Sequence, residues 1–157
     1  MLPQLAPNIA VVPPDSRLST YALLSVCNAA LIYGTKMGVE LTSVGLPVIV
    51  AGEAWVRNKG LTHDARNPAE YLALLDRLPF DERPTAARLR RARTYAYHFF
   101  FRRMIPLTFL QPRARYPIYV LKLDSLDRLR PGRTPGLDVI CDGVLSGSPF
   151  VFDEPSA

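Results

Sequence analysis

Thr35, set behind Gly34 and ahead of Glu40, heads the stretch of this 157-residue chain whose residue types and spacing best suit an anion site. Residues 30–33 make a short apolar run that breaks at Gly34, and a helix starting near Thr35 presents its unpaired N–H groups beyond the end of that strand. Such a start attracts anions, because the open donors and the peptide dipoles point to the same place. Glu40 falls roughly one to two turns further in. Gly45 stands where a glycine after a helix end takes positive φ, and Leu46 and Pro47 lead into the apolar run 48–51. The spacing predicts a β-α-β unit with a phosphate-sized site at its top.

The polar loop at 53–64 adds Arg57, Lys59 and His63. It leaves the carboxyl end of a strand, where ligands enter open α/β sheets. Two readings stand for these side chains: partners for a phosphate or a sugar carboxylate, or members of a solvated loop. His63 has the near-neutral titration that suits a general base. His98 lies in an aromatic helical band and reads as a core or surface histidine.

The elements that must position these groups follow from the apolar pattern. Residues 8–12 are a short β-rich run, and residues 16–28 carry Leu18, Ala22, Leu23, Val26 and Cys27 at helical spacing, with Ser19 or Thr20 as cap. Strands at 30–33 and 48–51 are apolar throughout and alternate with helices, which indicates a parallel sheet covered on both faces. Asn67, Pro68 and Glu70 read as a helix start, with Tyr71, Leu72, Leu75 and Leu78 on its apolar side and Pro79 after its end. Residues 84–104 give the longest helical pattern, with Leu89, Ala92, Ala96, Phe99, Phe100 and Met104 on one stripe. That helix either packs its stripe and solvates its arginines, the favoured reading, or lies on an anionic membrane surface. Residues 116–121 read as extended, 131–136 as a turn-rich connector and 137–145 as a short helix.

Composition sets the bounds. A net charge of +5 favours an anionic partner, and 48% hydrophobic residues over this length suffice for one core. The expected organisation is one domain, with the core β-α-β unit over 1–80 and a long helix plus irregular segment over 81–157 packing on it. Cys27 and Cys141 have neither metal-site nor disulfide-framework spacing and read as reduced thiols. No apolar run approaches the roughly 20 residues that span a bilayer, so the chain is expected to be soluble or peripheral. Signatures of dinucleotide oxidoreductases, P-loop NTPases, nucleophile-elbow hydrolases and zinc proteases are missing, and no nucleic-acid reader module is present.

The run Gly34-Thr35-Lys36-Met37-Gly38-Val39-Glu40, followed by Gly45-Leu46-Pro47-Val48, resembles the donor-binding half of GT-B glycosyltransferases. The nearer resemblance is to the capsule polysaccharide biosynthesis family, which includes bacterial Kdo-transferring enzymes. Pro14-Asp15-Ser16 with Ser19-Thr20-Tyr21, Lys59-Gly60-Leu61-Thr62, and Pro135-Gly136-Leu137-Asp138 with Cys141-Asp142-Gly143 extend it over most of residues 8–145. The resemblance implies an α/β fold, a Rossmann-like parallel sheet flanked by helices like a single GT-B C-terminal domain, with a long basic and aromatic helix after it.

It also implies a nucleotide-sugar site at Gly34, Thr35, Lys36, Gly38 and Glu40. Thr35 and the N–H groups after it would hold the donor phosphate, and Glu40 would accept from the ribose hydroxyls. Ser19, Thr20, Arg57, Lys59 and His63 are the further candidate donor or acceptor contacts. The chain departs from the family pattern at Lys36, where a small hydroxyl residue is expected; a lysine there either contacts phosphate or points to solvent. The implied activity is metal-independent transfer from a nucleotide sugar, with a CMP-linked acidic sugar favoured and no other cofactor. The catalytic base would come from a second GT-B domain or subunit, and the place of action would be the cytoplasm, extending to the inner face of the bacterial cytoplasmic membrane through residues 84–104. The alternative is a non-catalytic nucleotide-binding or interaction subunit, or a truncated remnant, completing a partner that carries the acceptor site.

Overall fold

A computed structural model describes residues 4–153. Three short segments pair in parallel, two of them apolar and the third polar: β1 (Ala30–Ile32), β2 (Val48–Val50) and β3 (His63–Asp64), in the order β1-β2-β3. Ala30 faces Val48, Ile32 faces Val50, and Ile49 faces His63. All three residues of β2 are buried, as an unbroken apolar run between two neighbours requires. The mixed α/β architecture with a helix-flanked parallel sheet therefore agrees with the sequence pattern.

Three helices, α1 (Thr20–Leu24), α2 (Met37–Ser43) and α3 (Pro68–Leu75), accompany the sheet. α2 crosses from β1 to β2 and buries Val39 and Leu41 completely or nearly so, while Val56, Leu61 and Ala65 fill the rest of the core. Gly38 lets α2 approach: a Cβ there would stand 2.5 Å from Ile32 Cδ1. The one hydroxyl on the buried face, Thr42, donates to the carbonyls of Gly38 and Val39, so it costs the core no unpaired donor. Gly45 ends the helix at φ 84°, as its position predicts.

α3 starts on the reciprocal cap visible in the sequence. Asn67 accepts from the Glu70 N–H at 2.9 Å, and the Glu70 carboxylate accepts from the Arg66 N–H at 2.9 Å. Its expected apolar side is only partly covered: Tyr71 and Leu75 are half-buried, whereas Leu72 and Leu78 are exposed. The next helix, α4 (Ala86–Tyr97), passes into a five-residue π-helical stretch, His98–Arg102. The chain divides into two compact units, Met1–Ala92 and Arg93–Ala157, and the division falls inside α4.

The second unit holds an antiparallel pair, β4 (Leu110–Pro112) and β5 (Tyr119–Leu121), a 3-10 turn at Leu126–Leu129, and α5 (Pro135–Ser146). Pro135 opens α5 and Gly147 at φ 73° closes it. Gly136 and Gly143 permit close packing, against the Pro106 carbonyl and the Phe150 ring respectively. Arg102 and Asp153 form a two-pronged ion pair at 2.7 and 2.9 Å.

Two expected elements are not formed as the pattern suggests. Residues 8–12 are exposed and make no strand, because β-propensity without a neighbouring strand supplies no ladder. The helix expected over 16–28 shrinks to α1, which buries no residue; Leu18 and Val26 stay exposed. A periodic stripe marks a face, but only a packing partner buries it. Among the described residues, no helix is long and apolar enough to cross a membrane.

Candidate functional site

The β1-α2 turn assembles Gly34, Thr35, Lys36, Gly38 and Glu40 within one short segment. Helical geometry begins at Met37, with Lys36 at the cap position making no side-chain cap bond. Thr35 supplies the cap instead, its Oγ1 accepting from the Met37 N–H at 3.2 Å. Gly34 brings the turn against the neighbouring loop, since a Cβ would stand 2.9 Å from the Glu53 carbonyl oxygen. Thr35 and Lys36 are exposed, whereas Gly38 is buried beneath them as a packing residue.

Glu40 has an unexpected partner. Its Oε2 accepts from the Tyr21 hydroxyl at 2.5 Å. That bond and the carboxylate's charge together raise the Tyr21 pKa above its ordinary value. Tyr21 is 63% exposed, and the helix carrying it has no buried residue. Ser19 stands at the start of α1 without a side-chain cap bond, and its carbonyl accepts from Ala22 and Leu23. Ser19 and Thr20 are the expected contacts in this stretch, but the residue that reaches Glu40 is the next one, Tyr21.

A cavity of about 440 Å³ opens beside this turn, at the carboxyl ends of the parallel strands. Tyr33, Gly52, Arg57, Arg66 and Asn67 help line it. The Tyr33 ring lies on the Gly52 backbone, where a Cβ would meet ring carbons at 2.7 Å. The Arg57 side chain is 12% exposed and turns inward: it donates to the carbonyls of Gly52 at 2.8 Å, Ala65 at 2.5 Å and Val50 at 3.4 Å, and its Nε pairs with the Glu53 carboxylate at 3.6 Å. It thereby ties the end of β2 to the end of β3.

The loop residues do not gather as a single group. Arg57 lies at the carboxyl edge and Lys59 is exposed, with its carbonyl accepting from Arg91 at 3.4 Å. His63 begins β3 and so lies at the opposite, amino edge, where its ring stacks on Phe80 at 4.5 Å. Burial lowers its pKa, with Arg88 and Arg77 adding to the effect and Asp64 opposing it. No group of three or more His, Cys, Asp or Glu side chains suited to a metal ion occurs among the described residues. No protein-family model, curated protein or solved structure matches the chain.

Proposed function

We propose that this chain provides the donor-binding half of a metal-independent glycosyltransferase for capsular or other surface polysaccharide. The observation that carries the reading is the Tyr21–Glu40 bond: an exposed hydroxyl already docks on the carboxylate that the resemblance assigns to ribose. A ribose diol is a stronger claimant for the same acceptor, and α1, with nothing buried, can yield Tyr21 to it. Thr35 and the N–H groups around Lys36 then face the donor phosphate, stabilising it as it departs. The sugar occupies the carboxyl-edge cavity beside Tyr33 and Gly52.

The acceptor site and the base belong, on this reading, to a second α/β domain, on another chain or elsewhere in a longer protein. The enzyme acts in the cytoplasm at the inner membrane face, where a growing surface polysaccharide is met. Thermal unfolding with CMP, UDP and GDP tests the donor site, since a ligand bound only to the native state raises stability by mass action. One of the three is expected to raise the melting temperature at millimolar concentration, and Glu40→Ala to abolish the rise. A flat response to all three removes the donor reading.

A further inference from the structure

The amino edge of the same sheet carries a second cavity, of about 610 Å³, where β2 and β3 begin and the α3–α4 connector passes. Arg77, Arg83 and Arg88 line it together with His63, Phe80 and Thr85. None of these guanidinium groups belongs to an ion pair among the described residues, and neither do Asp81 and Glu82 on the same rim. The Nε of Arg88 is buried with no hydrogen-bond partner. Arg83 reaches only distant carbonyls, those of Asn28 and Cys27 at 3.3 and 3.5 Å, and Arg77 lies over the Phe80 ring at 5.7 Å.

The wall behind these cations is braced. The Phe80 N–H donates to Asn28 Oδ1 at 2.7 Å, its carbonyl accepts from Asn28 Nδ2 at 2.9 Å, and its ring stacks on His63. Thr85 Oγ1 accepts from the Arg88 N–H at 3.3 Å, so the positive end of α4 opens beside the same cavity. Guanidinium groups converging on one space, with Arg88 Nε unpaired and Arg83 engaged only by two long carbonyl contacts, suit a tetrahedral, multiply charged oxyanion. A carboxylate fills one such fork, whereas a phosphate offers three oxygens to three forks. The volume falls within the roughly 300–1,000 Å³ typical of small-molecule pockets.

We propose that this amino-edge cavity binds the phosphate group of a small phosphorylated molecule through Arg77, Arg83 and Arg88. It lies at the opposite end of the strands from the Tyr33–Gly52 cavity, shares no lining residue with it and does not depend on the donor reading. Inorganic pyrophosphate is the probe, titrated against chloride at matched ionic strength, with the two histidines of the chain read by NMR. The His63 resonances are expected to shift saturably and its pKa to rise, while His98 stays unmoved. Arg88→Gln is expected to weaken pyrophosphate binding about tenfold, and Arg77→Gln, at an exposed position that spares the core, by a similar factor. Glu40→Ala is expected to leave the response intact. The assignment is overturned if His63 does not respond, if both histidines respond alike, if citrate binds as tightly as pyrophosphate, if the two arginine variants bind like the parent, or if Glu40→Ala erases the effect.

Discussion

The two edges of the parallel sheet use their polar side chains in opposite ways. At the carboxyl edge, Arg57 is committed to backbone carbonyls and Thr35 to the Met37 N–H. At the amino edge, Arg88 keeps a buried donor without a partner and Arg77 rests on a ring. A polar residue in a ligand cleft can thus be part of its frame or part of its grip, and only the partner distinguishes them. Arg57 belongs to the frame; the arginines around Phe80 are held for an outside anion.

The largest test of that contrast is Arg57→Ala. Removing the clamp leaves the carbonyls of Gly52 and Ala65 without their charged donor, and a loss of about 3 kcal/mol in urea unfolding is expected. Arg57→Lys should recover little, because one ammonium cannot span the same acceptors. A stability near that of the parent would move Arg57 from frame to grip. Next comes Asn28→Ala, which frees both backbone groups of Phe80 and is expected to cost about 2 kcal/mol while disturbing the amino edge alone.

A smaller effect follows from His63. Its folded pKa lies below the unfolded value, so the unfolded chain binds more protons, and stability is full above about pH 6.5 and falls as pH drops through that range. His63→Phe is expected to flatten this portion of the pH–stability curve. The smallest effect is spectroscopic. Tyr21 has a raised pKa, so its contribution is complete below the ordinary tyrosine value and is lost as pH rises through the folded one. Ultraviolet titration should show late-titrating phenols at Tyr21 and at Tyr95, which burial raises, and Glu40→Gln should return only Tyr21 to the ordinary range.

The β-α-β unit was legible because its signals are local: two continuous apolar runs, a glycine at the helix end, and the Asn67–Glu70 cap. α1 is shorter than the helical spacing of residues 16–28 predicts because the stripe is covered only in part, with Leu23 and Cys27 half-buried and Leu18, Ala22 and Val26 exposed. Arg57 and His63 stand six positions apart in one polar loop, and nothing in their neighbours reveals that β3 carries them to opposite edges. Phe80 meets Asn28 across 52 residues, a pairing that no local pattern encodes. Tyr21 was nearer to reach. A tyrosine beside two candidate contacts, ahead of a carboxylate assigned to hydroxyl recognition, is itself a hydroxyl donor.

The Asn28 amide presents to Phe80 the same donor-and-acceptor pair that a neighbouring peptide group would offer. Phe80 is therefore registered as though by a strand, although no strand is there. For an engineer this makes residue 80 a fixed anchor within a variable connector. Residues inserted between 81 and 83 would lengthen the rim of the amino-edge cavity without moving the aromatic wall, so the pocket's size can be tuned separately from its floor.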